Sequence, residues 1–326
     1  MSPPLSAAPQ PSLADARGIA PRRRPALAVL AVLAVGLTAT PRAVAAEPYI
    51  LHADLDYDLG SPVAPAAQNR LDLYVPRRPS GRRRAVVVYV HGGGWQTGDK
   101  RRVGHKARAF TRAGYLFASV NYRLSPSGRG APASDRVRFP DHPHDVGEAL
   151  GWLKRNVRRY GGDAGRLVLI GHSAGAHLAS LVGVDRSFGR AYDVPARAVR
   201  GVVSLDTAAF DVAAEADPAR GPHPQLFWNA FGTPQEEAAD PRWASASPIE
   251  LADPGDPAFL LVTERRPRRI AVNAAMLRAL GSRDSDSLVA VALGHAGINR
   301  VLGSPGDPTG ETQAVMAFVD EVAGRP

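Results

Sequence analysis

Beyond residue 46 the chain alternates short apolar runs with stretches in which apolar residues recur every three or four positions, and no segment repeats another. The apolar runs predict strands over 69–75, 85–90, 115–121, 166–170, 201–205, 258–263 and 288–293. Five of these are near-continuous Val, Leu, Ile and Ala, the composition of strands buried on both faces. Helices are expected between them at 104–113, 144–160, 173–183, 270–280 and 311–322; in the second, Val146, Leu150, Leu153 and Val157 form one apolar stripe. This alternation predicts an α/β fold, a mostly parallel central sheet with helices on both faces. From 207 to 247 the rhythm breaks into prolines, scattered acids and the aromatics Phe227, Trp228, Phe231 and Trp243. That stretch reads as a small irregular cap over one edge of the sheet.

The first 46 residues follow a different pattern. Arg22, Arg23 and Arg24 precede an uncharged run from Pro25 to Thr38, and Ala43-Val44-Ala45 supplies small residues at the spacing of a cleavage site. These are the three parts of a signal peptide in order, and the apolar run is too short to span a bilayer. Export with cleavage near Ala46 is therefore expected, leaving a domain over 47–326 with no stable membrane anchor. No Cys follows the apolar run to carry a lipid.

Composition adds little beyond this. The net charge of +9 comes from 37 arginines against three lysines in a chain rich in Ala and Pro, a bias of codon usage before it is one of function. Losing five arginines and one aspartate with the leader lowers it to +5. The runs at Arg82–Arg84, Lys100–Arg102 and Arg265–Arg269 lack interleaved aromatics and read as solvated loops, so no nucleic-acid partner is implied.

Candidate chemistry gathers at the C-terminal ends of three strands, where open α/β sheets bind ligands. Gly171-His172-Ser173-Ala174-Gly175 joins the strand RLVLI to the helix AGAHLASLVGV. A bare GxSxG is a common turn, but between a strand and a helix it is the setting of a nucleophile elbow, with the Ala174 amide placed for an oxyanion. His91-Gly92-Gly93-Gly94-Trp95 follows the strand AVVVYV. Three glycines free backbone amides to turn toward developing charge, which makes Gly93 and Gly94 oxyanion donors and Trp95 a pocket wall. A phosphate loop would want Lys-Ser/Thr or a helix start after the glycines, and Gln96 to Lys100 offers neither.

His295, in the loop after the last strand, is the base that can reach Ser173. The other histidines compete poorly: His172 and His177 flank the serine on its own element, His91 belongs to the glycine turn, and His52 precedes the core. Asp141-His142-Pro143-His144-Asp145 could suggest a metal site, but a proline between two ligands favours a helix cap, and no metal is assigned.

The region from about Asp72 to Val322 resembles the α/β-hydrolase superfamily, and within it the feruloyl-esterase-like and arylformamidase-like branch of small carboxylesterases. The resemblance rests on VYVHGGGWQTGDK, NYRL, FPDHPHDVGEALGWLKRN, YGGDAGRLVLIGHSAGAHLASL, WNAFGTP with WASASPIELA, and GHAGINRVLGSPGD. It implies ester or amide hydrolysis through an acyl-serine intermediate on a small-molecule substrate, without a cofactor. Ser173 is then the nucleophile, His295 the base, and Gly93, Gly94 and Ala174 the oxyanion donors, with Phe227 and Trp228 of the cap lining the pocket.

The sequence departs from that pattern in one place. Such hydrolases carry the third catalytic group, an Asp, in the loop after the penultimate strand, but here Thr263-Glu264-Arg265-Arg266-Pro267 puts Pro267 in that register. Glu264, at the strand end, is the first choice; Asp206, at the end of the preceding strand, is the alternative, and a site with no acid is the third reading. The leading function is an exported serine carboxylesterase for small acyl or aryl esters. An arylformamidase is its near competitor, and a degenerate hydrolase fold used as a binding module has only the missing Asp in its favour.

Overall fold

The computed structural model describes residues 46–58, 68–125 and 136–325; the leader expected over 1–46 falls outside them but for Ala46. The strands are β1 (Tyr49–Asp56), β2 (Arg70–Pro76), β3 (Arg84–Val90), β4 (Leu116–Val120), β5 (Gly162–His172), β6 (Val199–Leu205), β7 (Ala258–Glu264) and β8 (Ser287–Val291). They form one sheet in the order β1-β2-β4-β3-β5-β6-β7-β8. β1 and β2 pair antiparallel, as do β2 and β4, and every later pairing is parallel.

The helices are α1 (Lys106–Ala113), α2 (Asp141–Asn156), α3 (Ala174–Val184), α4 (Ser187–Arg190), α5 (Val212–Ala216), α6 (Pro224–Phe231), α7 (Pro234–Ala239), α8 (Pro248–Leu251), α9 (Pro267–Ala279), α10 (His295–Val301) and α11 (Glu311–Ala323). Period-two alternation in the buried strands divides the core between two faces. Val86, Val88 and Val90 of β3 pack with Leu150 of α2 and Leu178 of α3 on one side, while Val87 and Tyr89 pack with Phe110 of α1, Ile298 of α10 and Val315 of α11 on the other. The same alternation separates Leu167 and Leu169 from Val168 and Ile170 in β5.

All seven expected strands and five expected helices are present with shifted ends. Outside the cap, three elements were not foreseen: the single-turn α4, β1 and α10. β1 lies at the sheet edge with a largely exposed surface, so its sequence YILHADLD lacks the apolar continuity that marks the central strands. α10 is a short helix beginning at His295, in what the sequence read as loop. Between β6 and β7, the stretch over 207–247 expected to form a cap folds into α5, α6 and α7, with α8 just beyond it. Phe227 and Phe231 of α6 anchor it edge-on against Trp95, at centroid distances of 5.3 and 4.9 Å.

Candidate active site

Ser173 caps α3 with φ 55° and ψ −119°, a conformation that costs a residue bearing a Cβ about 1–3 kcal/mol and holds only where the surroundings impose it. Its amide donates to the Leu205 carbonyl at 3.0 Å, tying the elbow to the neighbouring strand. The flanking glycines are packing requirements. A Cβ on Gly171 would lie 2.0 Å from the Gly175 carbonyl oxygen, and one on Gly175 would lie 2.1 Å from that of Val90.

The His295 ring stands with Nδ1 2.6 Å from Oδ2 of Asp206. A carboxylate accepts, so this bond fixes the Nδ1–H tautomer and leaves Nε2 as the proton acceptor. Asp206 is fully buried just past β6, with φ 49°, and its Oδ1 accepts from the Thr263 hydroxyl at 2.9 Å and the Glu264 amide at 3.2 Å. Burial pushes its carboxyl upward, but the bond from His295, the charge of Arg269 and the two donors from β7 outweigh burial and hold it at about 2. Asp206 therefore stays charged across the working range of an imidazole.

The expectation that Glu264 contacts the histidine is corrected. Its buried carboxylate faces Nε of Arg266 at 3.3 Å and Nε of Arg269 at 3.5 Å, and only its backbone amide points to Asp206. Successive residues on β7 face opposite ways: Thr263 aims its side chain at Asp206, so Glu264 cannot. Pro267, at the register expected for an Asp, opens α9 instead.

Ser173, Asp206 and His295 line one cavity of about 340 Å³, together with Gly94, Trp95, Ala174 and Phe227. Two expected positions are not in its wall. Gly93 lies one step back in the glycine turn, where φ 128° lets its carbonyl accept from the Gln96 and Thr97 amides at 3.1 and 3.0 Å. Trp228 turns away from Phe227 by the 100° step of a helix and donates from Nε1 to the Ala216 carbonyl at 2.7 Å. Among the described residues, the amides of Gly93, Gly94 and Ala174 donate to no other group, as a site for an incoming oxyanion requires.

His172, set aside in the sequence, braces His295. Its Nε2–H donates to the His295 carbonyl at 3.0 Å, and the two rings sit 4.6 Å apart. Burial, aided by the nearby His295 and Lys106, pushes its pKa down to about 4 and keeps it neutral. Arg266, Arg268 and Arg269, read as solvated loop, also line the cavity; nothing in a run of arginines distinguishes those two situations. Among the described residues, no group of three or more His, Asp or Glu side chains is placed to hold a metal ion.

The BD-FAE family model matches residues 71–275, more than half of the chain, a span that holds the glycine turn, the elbow and Asp206 but ends before His295. Esterase LipQ of Mycobacterium tuberculosis is 35% identical over 122 residues, 36% of this chain and 26% of its own length. Esterase LipC of the same organism is 25% identical over 261 residues, 76% of this chain and 60% of its own length. The chain thus spans about a quarter of the first relative and less than two thirds of the second. Among solved structures, a truncated carbohydrate esterase from gut microbiota superposes with a TM-score of 0.66 at 18% identity, covering 85% of this chain and 98% of that one. Esterase B from Lactobacillus rhamnosis gives 0.62 at 19% identity, covering 85% of this chain and 87% of that one. At these identities the structural likeness establishes the α/β-hydrolase fold.

Proposed function

The chain belongs to the BD-FAE family of α/β-hydrolase esterases, and from that premise we propose that it is a serine carboxylesterase cleaving small acyl or aryl esters through an acyl-serine intermediate. The observation that carries this reading is the 2.6 Å contact between His295 Nδ1 and a buried, charged Asp206, in a cavity shared with a strained Ser173.

Nε2 of His295 takes the proton of Ser173 Oγ as that oxygen attacks the ester carbonyl carbon. The carbonyl π electrons move onto oxygen, and the resulting alkoxide accepts from the Ala174 amide and the amides of the glycine turn. Collapse breaks the carbon–oxygen bond to the alcohol, which leaves with the proton from Nε2. Water, deprotonated in turn by His295, attacks the acyl-serine and releases the acid and free Ser173. Asp206 keeps the imidazole oriented and stabilises its charged form throughout.

The binding-module alternative drew its support from a missing acid, and Asp206 removes that support. Export of the mature domain is part of the proposal and rests on the leader pattern of residues 1–46. Among the described residues, no helix is long and apolar enough to cross a membrane.

Initial rates on 4-nitrophenyl acetate, butyrate and octanoate, with N-formylkynurenine as the formamide arm, test the activity. Hydrolysis of the shorter esters, lost in Ser173→Ala and blocked by a fluorophosphonate bound to Ser173, is the expected result. Turnover of N-formylkynurenine alone would favour the arylformamidase reading, and full activity in Ser173→Ala would overturn both.

A further inference from the structure

The wall of the cavity that holds Ser173 also carries Arg266, Arg268 and Arg269. Two carboxylates oppose them there, apart from the Asp206 already engaged by His295: Glu264, which meets Arg266 and Arg269, and Glu215, which meets Arg268. With Asp206, whose carboxyl the charge of Arg269 helps hold down, three carboxylates meet the three guanidinium groups, so the wall is balanced in charge and the arginines stand out by the donors they leave free.

The way these charges are held is informative. Glu264, only 6% exposed at its side chain, approaches both arginines most closely through Nε. Among the described residues, the Nη1 and Nη2 atoms of Arg266 and Arg269 have no hydrogen-bond partner, and those atoms belong to the planar fork that binds a carboxylate with two parallel bonds. These ion-pair contacts involve the inner nitrogens and leave the outer ends of both side chains uncommitted. If these arginines served only to neutralise Glu264, one would suffice, and the terminal nitrogens would be the natural contact. The wall also holds Trp95, Leu226 and Phe227, so the cavity offers apolar surface as well as cationic groups.

We propose that the arginine pair Arg266 and Arg269, set by Glu264, selects esters that carry a carboxylate close to the scissile bond. This inference rests on the esterase reading of the same cavity. An uncharged ester would rest on the apolar surface and leave the guanidinium groups to water. A carboxylate-bearing one would add charge-assisted bonds to the free ends of the guanidinium groups, an anchor that orients the carbonyl over Ser173. Glu264 acts here as a positioning residue, and the two arginines set specificity.

The test uses matched pairs of substrates on the intact mature domain. One pair places the carboxylate on the acyl side, mono-4-nitrophenyl succinate against 4-nitrophenyl butyrate; the other places it on the leaving group, 4-acetoxybenzoate against phenyl acetate. The readout is the ratio of kcat/KM within each pair. At low ionic strength the ratio should favour the anionic member by about tenfold or more in at least one pair, and should fall toward one in about 0.5 M salt, because the arginines are partly exposed and screened. Arg266→Gln, at a side chain 74% exposed where folding is not at stake, should lower the ratio severalfold, and Arg266→Gln with Arg269→Gln should bring it near one. Ratios at or below one in both pairs in the native protein, or a preference that neither salt nor the double variant alters, would overturn the proposal. Absence of hydrolysis of all four esters would strike the esterase reading itself, a different result from uncharged esters being cleaved without any anionic preference.

Discussion

Asp206 reaches His295 across 2.6 Å from the end of β6, one strand nearer the elbow than the strand whose following loop usually supplies this carboxylate in the fold. Both Asp206 and Ser173 hold positive φ, so two of the three groups proposed for catalysis sit on strained backbone at the ends of neighbouring strands. Replacing Asp206 with Asn removes the charge that stabilises the imidazolium and lets the ring take the wrong tautomer. Asp206→Asn should lower kcat by roughly 10² to 10⁴-fold, with KM for a small ester little changed.

Glu264→Gln makes the reciprocal case. Its carboxylate contacts arginines and its main-chain amide, retained in the variant, holds Asp206. The loss of kcat on an uncharged ester should be at least about tenfold smaller than in Asp206→Asn. Melting curves run beside the kinetics separate a catalytic defect from a folded fraction that has fallen. If Glu264→Gln is the more damaging change at equal stability, the assignment of Asp206 fails.

The glycines of the elbow predict a stability effect rather than a kinetic one. A Cβ at position 175 would press to 2.1 Å from the Val90 carbonyl oxygen, and neither β3 nor α3 can yield, because both are buried in the centre of the sheet. Gly175→Ala should lower the melting temperature by roughly 5 °C or more, or prevent accumulation of folded protein. Gly294→Ala is the control: no atom lies within 4 Å of the added methyl, so a near-native melting temperature is expected.

Much of this site was legible from the sequence because its signals are local. The elbow, the glycine turn and the histidine each follow an apolar run, and strand ends are where an α/β sheet does chemistry. The partner of His295 was not legible, since which of Asp206 or Glu264 reaches the ring depends on the parallel pairing of β6 with β7 and on which face of β7 each side chain takes. A proline at the usual Asp register says only that the usual answer is wrong. α10 was missed because seven residues give too few turns for a helical period to show, and β1 because an edge strand need bury little. His172 had no sequence signal for its role: the carbonyl it meets is 123 residues away.

Export predicts a chemical end group. Produced in a host with its own secretion machinery, the protein should accumulate outside the cytoplasm with an N-terminus at or within a few residues of Ala46, as N-terminal sequencing or intact mass would show. A cytosolic product retaining Arg22 to Arg24 would refute that part of the proposal.

The last prediction concerns a buried carboxyl remote from the reaction. Glu311 opens α11, is fully buried, and neither of its carboxyl oxygens has a hydrogen-bond partner among the described residues. Burial, with a smaller push from Asp307, raises its pKa from the ordinary 4.5 to about 8 against the opposing charge of Lys106. Lys106 itself is pushed down to about 8 by burial, and its ammonium donates to the Asn299 carbonyl at 2.5 Å rather than to Glu311. A carboxyl with a raised folded pKa binds its proton more tightly in the folded state. Its favourable contribution is therefore complete below about pH 4.5 and is lost as pH rises through about 8. A glutamine at this position would mimic the protonated form at every pH. Glu311→Gln should thus match the native melting temperature near pH 5 and exceed it by a few degrees near pH 9, the gap opening between those values. A variant less stable than the native protein at pH 9 would mean instead that Glu311 is ionised and held by Lys106, because removing one member of a buried ion pair leaves the other uncompensated.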